Sequence, residues 1–472
     1  MRLHFRTLRA FAAGSLLLAG AAALAASPTS GDDSLASLQS AYGRAVTPGE
    51  HADLYRELLA NVLKRVQRSY ATEVDLSALA AAALNLVEPL APGTGNPAQV
   101  FSKAMNAALA TLDPYSRYLD ARAYGNERGD SNGRFGGLGL EVESSLGGVR
   151  VVAPISDSPA ARAGVRPGDL ILRVDDQSLI GMPLADAIAR MRGQPGTQVS
   201  LTIRRTGLDN DISVSLTRDT IRRQALRWNM EGDVLVLRVG TFSGSVAAAL
   251  QQAIADATAS QAPRGVVLDL RGNPGGLLRE AVMTADTFLS EGEIVSLRGR
   301  TAANQRTWHA DAAELLAGVR LVVLIDRRSA SASELVAAAL QENGRATVMG
   351  ERSFGKGTVQ STYALGEETK GALKLTTSFY HGPSGRSVHK TGVAPDIELV
   401  NSVQRQGARG EEDRHAAPPA TGQSQLPKVR VEQDRCAPAN KAATDPALSC
   451  ALAYLHAGDR ELFLARVSGE QH

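Results

Sequence analysis

The chain has 472 residues, 43% hydrophobic, 4% aromatic and 21% charged, with a formal net charge of +2. That length exceeds one compact core and predicts two to four domains. The near-neutral balance leaves no electrostatic footprint for nucleic acid or an anionic membrane surface.

At the start of the chain, Arg2, Arg6 and Arg9 precede an apolar run over 11–24, and Ala23-Leu24-Ala25 fits a small-x-small cleavage site. Residues 1–26 therefore read as a signal for export to the periplasm or cell envelope, cleaved near Ala25, with an uncleaved membrane anchor as the alternative. Their removal takes away three Arg and no acid, moving the net charge from +2 to −1. No later stretch approaches the ~20 apolar residues of a membrane span. Residues 35–120 read as helical, for example over 53–70 and 97–112, until Leu112-Asp113-Pro114-Tyr115-Ser116 ends the helices in a proline turn. Gly-rich residues 125–137 read as a flexible junction. A compact β-rich unit follows over 138–205, with strands predicted at 149–153, 170–174 and 199–203 and a helix at 184–191.

From about 225 to 400, apolar runs alternate with helical stretches: 234–239 then 246–259, 265–270 then 277–289, 319–325 then 333–343. This alternation predicts an α/β layered core. Residues 401–430 read as a disordered linker, and 446–464 as a short helical end. Cys436 and Cys450 fit either a disulfide or two free thiols.

Ser331 follows the apolar run over 319–325 and begins a predicted helix. A strand-to-helix turn surrounds such a side chain with unpaired backbone N–H groups, which suits a nucleophile facing an oxyanion. Ser331-Ala332-Ser333-Glu334 also matches a helix capping box. Lys356 lies 25 residues on, between Gly355 and Gly357. Only 8 of the 51 basic residues are lysine, and unlike arginine a lysine can act as a base. To do so near neutral pH its pKa must drop from ~10.4 by about three, a cost of ~4 kcal/mol that burial can impose. Gln360 shares a face with Lys356 whether that stretch is extended or helical, so its amide could orient the amine.

Leu268-Asp269-Leu270-Arg271-Gly272-Asn273-Pro274-Gly275-Gly276 ends a strand in a Gly/Pro turn that presents backbone N–H groups. Gly137-Leu138-Gly139-Leu140 offers a backbone cradle for a carboxylate beside a strand free to pair with an extended peptide. None of the eight histidines stands in a recognisable catalytic setting, no Gly-x-Ser-x-Gly elbow occurs, and no cluster has metal-ligand spacing.

These segments together resemble the carboxyl-terminal processing, or tail-specific, proteases. The resemblance runs from about Leu112 to Glu398, through LDPYSRYL, SPAARAGVRPGDLIL, LDLRGNPGG, SASASE, ERSFGKGTVQ and the Ser384-Gly385-Arg386-Ser387 segment. It implies Ser331 as nucleophile, Lys356 as general base and Gln360 as the orienting residue. Ala332, Gly275 and Gly276 carry over as oxyanion donors, and Gly137 to Leu140 as the carboxylate-binding loop of a PDZ domain. The implied architecture is a multidomain α+β or α/β chain, with a crotonase-like β/α serine protease core and an inserted PDZ domain. Its expected parts are a signal peptide (1–26), an N-terminal helical region (27–130), the PDZ domain (131–207), the protease core (208–400), and a linker with a helical tail (401–472).

The family departs little here: Asp326-Arg327-Arg328 replaces a commoner Asn-x-Gly, and Gly272 a frequent Asn. The expected partners are protein or peptide substrates with free C-termini, and no cofactor is implied. An adaptor protein and a homo-oligomeric state stay open. Two competing classes are a catalytically silent PDZ scaffold and a crotonase-like acyl-CoA enzyme.

Overall fold

A computed structural model describes residues 31–131, 133–155, 157–222, 225–311, 314–366, 371–400, 429–436 and 445–468. The signal-like segment and most of the expected 401–430 linker lie outside the described residues.

Four helices open the chain: α1 (Gly31–Ala45), α2 (Glu50–Ser69), α3 (Leu76–Val87) and α4 (Pro97–Ala110). Helix α2 buries Tyr55, Leu59, Val62, Leu63 and Val66 along one face, the stripe expected of an amphipathic helix. Asp75 caps α3 through the Ser77 N–H, and Asn96 caps α4 through the Gln99 N–H. Strand β1 (Arg117–Leu119) and helix α5 (Ala121–Ser131) follow. Of the glycines that suggested a flexible junction, Gly125 and Gly129 therefore lie in a helix, Gly136 and Gly137 in the next strand, and Gly133 in the turn before that strand. Tertiary contacts override the poor helix propensity of Gly125 and Gly129: Glu127 of α5 forms ion pairs with Arg117 at 3.1 Å and Lys374 at 2.6 Å.

The β-rich unit comprises β2 (Arg134–Gly137), β3 (Leu140–Ser145), β4 (Gly148–Pro154), α6 (Pro159–Arg162), β5 (Leu170–Val174), β6 (Gln177–Ser178), α7 (Leu184–Met191), β7 (Gln198–Arg204), β8 (Ile212–Thr217) and β9 (Asp219–Arg222). Strand β8 pairs with β7 in the same sheet, so the unit extends past the expected boundary at 207. Its entry and exit strands, β2 and β9, pair antiparallel, and the inserted unit is joined to the rest through this ribbon.

The second half contains β10 (Leu226–Glu231), β11 (Val234–Val239), α8 (Val246–Ser260), β12 (Gly265–Asp269), α9 (Leu278–Asp286), β13 (Glu293–Gly299), β14 (Arg306–His309), β15 (Arg320–Ile325), α10 (Ala332–Glu342), β16 (Ala346–Gly350), β17 (Thr358–Ala364), β18 (Ala372–His381) and β19 (Ile397–Val400). The C-terminal segment adds β20 (Val429–Glu432), α11 (Pro446–Ala457) and α12 (Arg460–Ser468).

A seven-stranded sheet runs β10-β11-β12-β15-β16-β19-β20, parallel except for β10. Helices α8, α9 and α10 cover one face, and α11 and α12 cover the other. Burial on both faces explains the unbroken apolar runs of β11, β12 and β15. A five-stranded sheet (β1, β18, β13 and β14, with β17 on β18) packs Leu373 and Leu375 against the N-terminal helices.

The C-terminal segment is thus more than the expected linker and helical tail. Val429 and Arg430, placed in the linker from composition, begin the strand that pairs with β19. Arg271 of the LDLRGNPGG turn bridges Asp269 at 2.7 Å and Asp445, the cap of α11, at 2.6 Å. Cys436 and Cys450 are disulfide-bonded with Cα atoms 4.7 Å apart. Cross-linking a loop of 14 residues stabilises by up to about 3 kcal/mol. Cys436→Ser/Cys450→Ser should therefore melt at a lower temperature than the parent, and reductant should lower the parent's Tm without moving the variant's.

Candidate active site

Strands β12 and β15 are adjacent and parallel, with Asp269 opposite Leu324. Their outgoing turns therefore meet at the C-terminal edge of the sheet, where open α/β sheets hold their ligands. Fully buried Asn273 knits the two turns together. Its Nδ2 donates to the Val239 carbonyl and its Oδ1 accepts from the Gly275 N–H, both at 2.9 Å. Its own carbonyl accepts from the Ala330 N–H at 3.0 Å and Ser333 Oγ at 2.9 Å. Asp326 adds a second tie by accepting from the Gly272 N–H at 2.9 Å.

Ser331 stands on this junction at the N-cap of α10 with φ 59° and ψ −115°. A non-glycine residue there stores about 1–3 kcal/mol of strain and persists only where its surroundings over-determine it. It is the backbone shape of a strained strand-to-helix elbow, reached without the Gly-x-Ser-x-Gly signature. Gly275, at φ 101°, makes room for it: a Cβ there would lie 2.8 Å from Ser331 Cβ and 2.9 Å from the Ala332 nitrogen. Ala332 is the first residue of α10, so its N–H has no intrahelical acceptor.

Glu334 is fully buried and joins the serine to the lysine loop. Its carboxylate accepts from the Ser331 N–H at 2.7 Å and the Lys356 N–H at 2.8 Å. It also accepts from Ser353 Oγ at 2.6 Å and the Gly355 N–H at 2.7 Å. Burial pushes its pKa up against these four donors. The capping-box signal had identified the Ser331–Glu334 contact but could not reveal the three partners beyond residue 350.

Ser331, Ala332, Gly275, Gly276, Lys356 and Gln360 all line one cavity of about 440 Å³. Gly276 also lies in an isolated parallel bridge with Phe242. Within the cavity the groups are arranged as follows. Ser331 Oγ accepts a hydrogen bond from the Tyr380 hydroxyl at 2.7 Å. Lys356 Nζ sits over the Tyr115 ring, 4.6 Å from its centroid. The Gln360 amide nitrogen donates to Thr358 Oγ1 at 2.9 Å and Thr376 Oγ1 at 3.3 Å. The Gly275 N–H is already committed to Asn273, whereas the Ala332 N–H has no intrahelical acceptor.

Burial lowers the pKa of Lys356, with Lys374 and Arg117 adding repulsion, while Asp113 and Glu127 oppose the shift. Tyr115 is set by its own turn: Asp113 accepts from the Tyr115 and Ser116 N–H groups at 2.6 and 2.8 Å. Sequence reasoning missed Tyr115, Tyr380 and Glu127. LDPYSRYL was itself a signal for Tyr115, whereas Tyr380 and Glu127 are distant in sequence and become neighbours only through the fold. Neither Arg327 nor Arg328 lines the cavity.

In the inserted unit, Gly137, Leu138, Gly139 and Leu140 connect β2 to β3. Gly139 adopts φ 74°, and a Cβ there would overlap Ser158 Cβ at 2.2 Å. The Ser158 hydroxyl and Ile155 N–H donate to the Gly139 carbonyl, and the Ala160 N–H donates to that of Leu138. These bonds fix where the two carbonyls point. Leu140 and Val142 of β3 and Leu184 and Ile188 of α7 are partly exposed apolar residues beside it.

Comparison with known proteins agrees with this architecture. The model of peptidase family S41 matches residues 233–399, and a PDZ-domain model matches 150–205. A carboxy-terminal-processing protease of Bartonella bacilliformis is 44% identical over 303 residues, which cover 63% of this chain and 69% of that protein. The carboxy-terminal processing protease CtpA of Bacillus subtilis is 34% identical over 297 residues, covering 62% and 63%. The solved photosystem II D1 C-terminal processing protease aligns with a TM-score of 0.51 and 28% identity, over 73% of this chain and 92% of its own. The chain belongs to the S41 serine peptidases, in the branch of the carboxy-terminal processing proteases, and carries a PDZ domain.

Glu334→Gln tests the tie between the two loops. The amide NH₂ would face the Ser331 and Lys356 N–H groups in one orientation and the Gly355 N–H in the other, leaving buried groups unpaired at a cost of roughly 2–4 kcal/mol. Differential scanning calorimetry should show a lower Tm. Peptide cleavage should fall at least ~100-fold as Ser331 and Lys356 lose register.

Proposed function

We propose that this chain is an exported endopeptidase that cleaves proteins near their C-terminal tails with a Ser331–Lys356 dyad on a crotonase-like core. The observation that carries the reading is the shared cavity. It joins a strained serine elbow, the unpaired N–H of Ala332 and a lysine whose charge is disfavoured by burial and by two neighbouring cations. Lys356 leaves the Tyr115 face and accepts the Ser331 proton as Oγ attacks the scissile carbonyl; its long flexible stem permits that rotation.

The Gln360 amide nitrogen is already spent on two threonines, so its oxygen is the atom left to receive and orient the Lys356 amine. The developing oxyanion is taken by the Ala332 N–H, with Gly275 and Gly276 forming the facing wall. Lys356 then returns the proton to the leaving amine, and water releases the acyl-enzyme. The PDZ domain captures the free carboxylate of the substrate at Gly137 to Leu140 and its apolar end along β3 and α7. The Cys436–Cys450 disulfide supports export, since such bonds persist in oxidising compartments.

Ser331→Ala should lower cleavage of casein or a tailed peptide by ~10³–10⁶-fold; undiminished cleavage would sink the assigned nucleophile. Lys356→Arg should be nearly as inactive as Lys356→Ala, because the guanidinium keeps the charge and cannot take the proton.

The pH dependence has a definite sign. Lys356 is protonated and idle below its pKa, so kcat/KM should rise with pH. The midpoint should lie below that of a solvated lysine, because burial lowers it. A midpoint at or above the solvated value would contradict a lysine base. For capture, amidating the C-terminus of a peptide substrate removes a charge-assisted contact. That should raise KM roughly 10–100-fold, and an unchanged KM would count against carboxylate recognition.

A further inference from the structure

Tyr380 is absent from every expectation raised by the sequence, yet its hydroxyl is the one side-chain donor described on Ser331 Oγ, at 2.7 Å. We propose that the Tyr380 hydroxyl is a catalytic hydrogen-bond donor to Ser331 Oγ, stabilising the negative charge that this oxygen carries during attack and again during departure. The inference rests on the reading of Ser331 as nucleophile.

Its position is fixed at both ends. The Tyr380 N–H donates to the Gly357 carbonyl at 3.0 Å, one residue beyond Lys356. Its side chain is 4% exposed and packs in the core beneath α8, α9 and α10. Burial holds the phenol well above the usual tyrosine range, with the Ser331 contact opposing that shift; the group therefore stays protonated and donates. A serine oxygen that accepts from Tyr380 must send its own proton elsewhere. The cavity holding Lys356 is the open direction.

In acylation the Ser331 Oγ proton passes to Lys356 Nζ, the Oγ–C bond forms, and the carbonyl π pair moves onto the carbonyl oxygen. Collapse breaks the C–N bond, and the amine leaves with the proton from Lys356. In deacylation water attacks while Lys356 takes its proton. The Oγ–C bond then breaks, its electron pair returns to Oγ, and Lys356 gives Oγ the proton back. Tyr380 keeps its own proton throughout. Its hydrogen bond changes from neutral to charge-assisted whenever Oγ becomes anionic, and such bonds are roughly twice as strong. Only this difference between ground and transition states accelerates the reaction.

The test is Tyr380→Phe in the full chain. It measures kcat and KM on a tailed peptide and the second-order rate of Ser331 labelling by a fluorophosphonate. Both kcat and the labelling rate should fall about 10–100-fold across the pH plateau. KM and the pH midpoint should match the parent.

A role confined to holding β17 and β18 would instead displace Lys356 and move that midpoint. Wild-type kcat and labelling, a shifted midpoint, or loss of the cooperative melting transition would each overturn the proposal. A thermal cycle gives an independent reading of the bond. Ser331→Ala should lower Tm by a few degrees by stripping Tyr380 of its acceptor, yet leave Tm unchanged in the Tyr380→Phe background. Equal shifts in both backgrounds would count against it. Cleavage surviving in Ser331→Ala would remove the nucleophile reading itself. An inactive Ser331→Ala beside a fully active Tyr380→Phe would overturn Tyr380 alone.

Discussion

Glu334 is the group on which the site depends. A carboxylate with no exposure is costly to bury, and here four donors offset that cost. Two of those donors are the backbone N–H groups of Ser331 and Lys356, so the buried charge holds the two residues' main chains to one point. Ser331 is strained at this position, and Lys356 lies in a stretch that is neither helix nor strand. The Phe354 N–H, donating to the Ser329 carbonyl at 3.0 Å, adds a second tie that keeps the two loops in register. The helix dipole adds to the effect, since a negative charge near the first turn of α10 is favourable.

Electrostatics around Lys356 are balanced rather than extreme. Burial, Lys374 and Arg117 disfavour its charge, while Asp113 and Glu127 favour it. Lys374 and Arg117 share one carboxylate, Glu127, which balances one of their two charges, and the face of Tyr115 attracts the cationic form. The serine oxygen is held by Tyr380 and the amine by Tyr115. Moving the amine off that ring removes the cation–π attraction and makes the neutral form easier to reach.

Much of this was legible in the sequence for a physical reason. Strands buried on both faces read as unbroken apolar runs, so β11, β12 and β15 were predicted within a residue or two of their observed bounds. The Gly/Pro turn after β12 and the capping signal at Ser331 marked where chemistry could sit. Local pattern was a poor guide wherever tertiary partners decide the outcome. Gly125 and Gly129 suggested a loose junction, but Glu127 between them finds two cations and the segment folds as helix. Val429 and Arg430 looked like linker because a parallel edge strand needs its partner β19 before its pattern has meaning. Tyr380 looked like any strand aromatic, since Ser331 lies 49 residues away in sequence.

The connection between the domains passes through the site itself. Helix α5 leads from β1 of the protease sheet into β2, the first strand of the PDZ ribbon, and carries Glu127 on the cavity wall. The carboxylate that pairs with both Lys374 and Arg117 is therefore supplied by the connecting segment. Any displacement of α5 would expose Lys356 to two unpaired cations and further disfavour its charge. The inserted position of the PDZ domain thus has an electrostatic consequence: its entry helix supplies part of the charge balance that sets the protonation of Lys356.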